Sequence, residues 1–185
     1  GEDPHLTART AVAAIDGVES AGVGATVKHY VANSQETDRY EVSAAVDERA
    51  LREIYLPAFR AAVEEADVTS VMTAYNRVNG THMSDHERLL SDVLKGEWGF
   101  DGFVVSDGWG TRSTVGAARA GLDVEMPGIT PEAFAPDDVD LGEASEAMPP
   151  VPDVPALFGE PLREAVESGA VDEAVVDAKV ERVLR

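Results

Sequence analysis

Four pairs of polar residues stand at the ends of short apolar runs in this chain: Lys28 and His29, Tyr75 and Asn76, Ser106 and Asp107, Asp123 and Glu125. Carboxylates, a lysine, a histidine and a phenol gathered on one rim suit a polyhydroxylated ligand, because sugar hydroxyls need charged donors and acceptors in fixed directions. Taken singly, each residue also has a structural reading. Asp107 after a buried strand caps the next helix, and Asp123 caps a turn. Tyr75 buries its ring and sets its hydroxyl on a backbone carbonyl, while His29 is a hydrogen-bonded loop histidine.

The elements that must position these residues are legible from periodicity. Leu6, Thr10, Val12, Ala13 and Ile15 recur near a helical period until Gly22 and Gly24 break it. "GATVKHYVAN" is a short β-branched run that reads as a buried strand with Lys28 and His29 at its C-terminal end. From Asp47, an N-cap, the positions Leu51, Ile54, Tyr55, Ala58, Phe59, Ala62 and Val63 predict one amphipathic helix kinked at Pro57. The unit recurs as "VTSVMTAYN" followed by a helical stretch from Leu89 to Leu94, as "GFVVSDGWG" followed by a helix over Thr114 to Arg119, and as "GLDVEMPG". Continuous apolar strands alternating with helices, each strand ending in polar residues, predict α/β architecture with a parallel sheet whose polar ends line one rim. Ligands bind at the carboxyl ends of such strands.

Composition removes whole classes of function. The 185 residues carry 35 Asp and Glu against 15 Lys and Arg, a formal net charge of −20. That charge repels phosphate backbones and anionic lipid, so neither nucleic acid nor a membrane face is expected as partner. At 44% hydrophobic residues the chain still has material for a core. With no cysteine there is no disulfide framework, thiolate metal site or Cys nucleophile. No apolar run reaches the ~20 residues of a membrane span, and the opening residues lack the order of a signal peptide. The chain starts without Met and reads as a segment of something longer. Its only lysines are Lys28, Lys95 and Lys179, and this acid-rich, lysine-poor texture suggests a protein that works in concentrated salt, where charge repulsion is screened. The compartment stays open, with a high-salt cytoplasm favoured.

Beyond Gly128 the texture changes. Seven of the ten prolines fall in 131–161, and no Lys or Arg occurs from 120 to 162. Residues 129–158 therefore read as a long acidic loop. Its "PDDVD" cluster lacks the spacing and glycine of an EF-hand, so no metal is expected, and no cofactor either. Val175, Val176, Val180, Val183 and Leu184 predict a closing amphipathic helix over Val171 to Leu184.

The wording of the motifs goes further than their spacing. "GEDPHLT", "ATVKHYVANSQETDR", "DERALREIYLPAF", "VMTAYNRVNG", "LLSDVLKGEWGFDGFVVSDGWGT" and "AGLDVEMPG", in that order, closely resemble the N-terminal catalytic barrel of glycoside hydrolase family 3 in its β-glucosidase branch. The final "AVESGAVDEAVVDAKVERVLR" resembles the helix that ends that barrel. The resemblance implies that 1–185 form part of this domain, about half of a TIM-type (β/α)8 barrel. The implied activity is hydrolysis of terminal β-D-glucosidic or related bonds by a retaining double displacement, within a larger enzyme.

The family's roles fall residue by residue on the rim. The aspartate of the "SD" motif, here Asp107, is the implied nucleophile. Lys28 and His29 are the implied ligands of the sugar hydroxyls, Tyr75 lies beneath the reacting sugar, and Met72 and Glu36 support the pocket. Members of the family have tryptophan directly after the nucleophile. Gly108 stands there instead, with Trp109 one place later as the aromatic of the entry subsite. The general acid of this branch is a glutamate on a downstream α/β sandwich domain, so that domain is an expected partner; Glu125, or in its place Glu36, is the substitute within the chain. The isolated segment is then expected to be inactive. A non-catalytic, truncated barrel with a sugar-binding or structural role is the alternative.

Overall fold

A computed structural model describes residues 2–128 and 156–185; most of the predicted 129–158 loop lies outside these described residues. Helix α1 (Pro4–Glu19) starts where Asp3 accepts the N–H groups of His5 and Leu6 at 2.8 and 3.0 Å, with Pro4 at the first turn. Its buried residues Ala8 and Ile15 face inward, and strand β1 (Thr26–Tyr30) follows.

The predicted helix from Asp47 begins as foreseen, with the Asp47 carboxylate accepting the Ala50 N–H at 2.8 Å. It is then divided. A short α-helix, α2 (Glu48–Ala50), runs into a π-helical turn over Leu51–Tyr55, and α3 (Pro57–Glu64) restarts with Pro57 at its first position. Proline has no N–H to donate and is tolerated there, so it opens a helix rather than kinking one. The 88–97 stretch is likewise π-helical, Arg88–Glu97, with Leu89, Leu90, Val93 and Leu94 buried.

Strands β1, β3 (Ser70–Thr73) and β6 (Phe103–Val105) form one sheet in the order β1-β3-β6, all parallel. Val71 pairs with Val27 on one side and with Val104 on the other. The fourth predicted strand, "GLDVEMPG", is reduced to a single parallel bridge between Val105 and Val124. Gly102 shows how closely the strand entries approach: a Cβ there would lie 2.2 Å from the Thr69 carbonyl oxygen. Only glycine fits.

The core lies between the sheet and its helices. Val71 and Val104 meet Leu89, Leu90, Leu94 and Leu122, all fully buried, and each such side chain contributes about 1.5–3 kcal/mol by leaving water. Tyr30 fills the centre edge-on to Phe59 and Trp98, with its hydroxyl donating to the Leu89 carbonyl at 2.9 Å.

A second, small sheet was not foreseen. It joins β2 (Ser43–Ala44), β4 (Arg77–Val78) and β5 (Thr81–His82). Asn79 and Gly80, both at positive φ, turn β4 into β5. The Asn79 side chain exchanges hydrogen bonds with Val46, accepting at 2.9 Å and donating at 2.8 Å. The Asn-Gly pair was the signal for this hairpin. Past the first sheet, α4 (Thr114–Ala120) is covered by α5 (Glu160–Glu167) and α6 (Glu173–Leu184). The closing helix predicted over Val171 to Leu184 is α6, while α5, parted from it by Gly169 at positive φ, was not foreseen. Among the described residues no helix is long and apolar enough to cross a membrane.

Candidate active site

Asp107 stands two residues past the end of β6. Its Oδ1 accepts the N–H of Gly108 at 2.9 Å, and its Oδ2 lies 3.1 Å from His29 Nε2. The side chains are 17% and 30% exposed, so the pair is open to a ligand. Tyr75 lies close enough to the same carboxylate for its charge to act on the phenol. Burial, then Asp107 and Tyr40, push the Tyr75 phenol well above its ordinary range, which keeps it a proton donor. Burial lowers His29; Asp107 opposes that shift and Lys28 adds to it.

Three of the predicted residues, His29, Tyr75 and Asp107, are therefore brought together. Lys28 precedes His29 on β1 and is exposed. Met72 is half-buried in the middle strand, paired with Val105. Glu36 is exposed and ion-paired with Arg39 at 2.8 Å, so it reaches the site through that arginine. Trp109 takes a positive φ, donates its N–H to the Met126 carbonyl at 2.7 Å, and has its indole nitrogen buried. Gly110 comes so close to Tyr75 that a Cβ would lie 3.3 Å from the ring and 3.1 Å from the Asp107 carbonyl oxygen.

Two residues expected on the rim are used elsewhere. Asp123 is not at the strand ends: it is buried one residue before the Val124 bridge, accepts the Val104 N–H at 2.8 Å, and pairs with Lys95 at 2.7 Å. It closes the core instead of facing a ligand. The Glu125 carboxylate accepts the N–H groups of Leu157 and Phe158 at 3.0 and 2.6 Å, which ties it to the returning chain. That arrangement leaves it no free role as an acid.

Three neighbours escaped sequence reasoning. Tyr40 lies against Tyr75 with ring centroids 4.5 Å apart. Arg39 sits over both rings, at 5.2 and 4.8 Å, and Arg112 over Tyr40 at 5.5 Å. They come from loops without periodicity, so only their position inside "ETDRY" and shortly after Asp107 could have flagged them. Among the described residues no three His, Asp or Glu side chains gather to hold a metal ion.

A carboxylate flanked by an imidazole and a phenol at the end of a parallel strand can attack an electrophilic carbon while its neighbours hold hydroxyls. Comparison with known proteins decides the lineage: "Glycosyl hydrolase family 3 N terminal domain" matches residues 1–185. The chain belongs to glycosyl hydrolase family 3. Within that family it is 43% identical over 190 aligned positions to β-glucosidase BoGH3A of Bacteroides ovatus, covering 100% of this chain and 23% of the relative. It is 58% identical over 127 residues to a β-glucosidase of Rhizobium radiobacter, covering 69% of this chain and 16% of that protein. An exo-α-(1→6)-L-arabinopyranosidase of Bifidobacterium longum is 51% identical over 127 residues, with 68% of this chain and 17% of the relative covered. The structure of β-glucosidase 3B from Thermotoga neapolitana in complex with glycerol superposes with a TM-score of 0.82 at 40% identity, over 99% of this chain and 23% of that one. The chain thus spans about a fifth of the length of these family 3 proteins, and its α/β fold with a parallel sheet is that of the family's barrel domain.

Proposed function

We propose that the chain serves in a larger family 3 enzyme that hydrolyses terminal β-D-glucosidic or related bonds with retention of configuration. The observation that carries the reading is the convergence of His29 and Tyr75 on Asp107. In the first step the Asp107 carboxylate attacks the anomeric carbon and the glycosidic C–O bond breaks. The leaving oxygen takes a proton from a second carboxyl group, which in a retaining enzyme stands ~5–5.5 Å from the nucleophile. Water, giving its proton to the second carboxylate, then attacks the same carbon and frees Asp107. His29 and Lys28 hold the ring hydroxyls, and Tyr75 stabilises the carboxylate as charge leaves it. Glu36 supports the pocket through Arg39, Met72 lies on the middle strand below it, and Trp109 belongs to the entry side.

The second carboxyl group is assigned to a downstream sandwich domain, since Glu125 is engaged by backbone donors. A non-catalytic reading is favoured by one feature: a Cβ at Gly108 would meet only the Tyr75 hydroxyl, at 3.9 Å, among the described residues. The aromatic wall of the entry subsite is then incomplete. Mechanism-based labelling with a 2-fluoro glucoside separates the readings. In the enzyme containing this chain, covalent label on Asp107 that disappears in Asp107→Asn, with turnover falling by orders of magnitude, supports catalysis. An unlabelled Asp107 in an enzyme that binds glucose supports the non-catalytic role.

A further inference from the structure

Arg112 has no part in the chemistry proposed above, yet it reaches back across the site. Its Nη2 donates to the Tyr40 carbonyl oxygen at 3.2 Å, and its guanidinium lies 5.5 Å from the Tyr40 ring centroid. Tyr40 rests on Tyr75, rings 4.5 Å apart and tilted by 54°. The two arginines around this aromatic pair are anchored differently. Arg39 is held by Glu36 at 2.8 Å. Arg112 has no carboxylate partner among the described residues, and its buried Nε has no acceptor among them. A guanidinium left with an idle buried donor is placed by its ring and carbonyl contacts, not by an ion pair.

Tyr75 needs such support. On the side of the loop after the nucleophile it meets glycines: Cβ atoms built on Gly108 and Gly110 would lie 3.9 Å from its hydroxyl and 3.3 Å from its ring. Those positions carry no side chain to pin it, so the ring that backs it is Tyr40.

We propose that Arg112 is a positioning residue, which clamps Tyr40 against Tyr75 and thereby holds Tyr75 in place beside Asp107. Its importance for turnover rests on the reading of Asp107 as nucleophile. The clamp itself does not, and is tested without turnover.

The protein labelled with 3-fluorotyrosine gives four fluorine resonances, for Tyr30, Tyr40, Tyr55 and Tyr75, assigned by single Tyr→Phe variants. The groups facing the Tyr75 phenol are Asp107 and Tyr40, with Arg39 over its ring. With the clamp removed in Arg112→Met, Tyr40 no longer backs the ring and water reaches it, so the fluorine shift of Tyr75 between H2O and D2O rises toward that of the half-buried Tyr55. Arg112→Lys keeps the charge but not the planar fork, and gives a smaller rise. In a Tyr40→Ala background, Arg112→Met gives no further rise. A purely electrostatic role leaves the water exposure of the ring unchanged. An isotope shift that stays unchanged in Arg112→Met, with the Tyr30 and Tyr55 signals intact, overturns the proposal. So does an equal rise with Tyr40 removed.

Discussion

His29 Nε2 lies 3.1 Å from Asp107 Oδ2 although their strands do not touch, since β3 runs between β1 and β6. Neighbouring strands are about 4.8 Å apart, so strands two places apart stand nearly 10 Å from one another. The side chains close that gap by leaning across the end of the middle strand. Parallel pairing puts both strand ends on one rim, and this is why the contact exists.

The contact makes His29 a reporter of the Asp107 charge. Burial holds the imidazole below its ordinary range and Asp107 opposes the shift. In Asp107→Asn the opposing charge is gone, so the His29 midpoint, followed by NMR of the ring protons, should fall further. An upward movement would contradict the geometry. His82 and His86 are also lowered, chiefly by burial. Because the folded values lie below the unfolded 6.5, the unfolded state binds protons first on acidification. The stability linked to these histidines is complete above pH 6.5 and declines as pH falls through that value toward the folded ones. A stability profile by denaturant unfolding between pH 5 and 7 checks the sign, and each His→Phe variant should flatten it.

At the opposite rim a single carboxylate oxygen of Glu19 accepts the N–H groups of Ala25 and Thr69 at 3.0 and 2.9 Å and the Thr69 hydroxyl at 2.8 Å. It thereby joins the end of α1 to the entries of β1 and β3. Glu19→Ala should cost about 1.5–3 kcal/mol, the range for hydrogen bonds to a charged group, and Glu19→Gln less. Burial raises the Glu19 pKa, but these bonds outweigh it and the net shift is downward. The contribution is therefore present above pH 4.5 and is lost as pH falls through the folded value. Unfolding midpoints of the two variants that match the wild type would rule out this staple.

Lys179 and Lys95 converge on Asp123 at 4.0 and 2.7 Å. Lys179 also donates to the Ala118 and Leu122 carbonyls, at 2.8 and 2.6 Å. Burial, with Lys95 adding repulsion and Asp123 opposing, lowers Lys179 from 10.5 to about 8. The folded state therefore disfavours the proton, so stability should rise as pH climbs from about 8 to 10.5, by on the order of 3 kcal/mol at most. Lys179→Met should lack that rise in chemical denaturation. An identical slope in the variant would assign the pH dependence to other groups.

The net charge of −20 sets a further expectation. Surface pairs such as Arg49 with Glu53 and Arg60 with Glu64 are exposed and contribute at most about 1 kcal/mol each. Salt weakens those attractions slightly while screening a repulsion carried by the whole surface. The melting temperature should rise from dilute buffer to molar KCl. A flat or falling trend would remove the case for adaptation to high salt.

The strands were readable because their apolar runs are continuous and bounded by glycine or polar residues, as at Val71 and Val104. Helix limits were less readable where local geometry intervened: Pro57 restarts a helix, and residues 88–97 widen into π geometry. The small sheet went unread because strands of two residues carry no period, although Asn79-Gly80 marked its turn.

The sequence by itself determined the repeated strand–helix order, the polar residues that follow each strand, and the family. Tertiary structure decided which of those residues form a site. Asp107, Asp123 and Glu125 are all carboxylates near strand ends, yet one faces His29 and Tyr75, one is buried among lysines, and one caps the returning chain. Side-chain direction and strand register separate them, and both depend on packing between residues far apart in the chain. The same holds for Tyr40 and Arg112, which meet only because the fold folds two loops over one tyrosine.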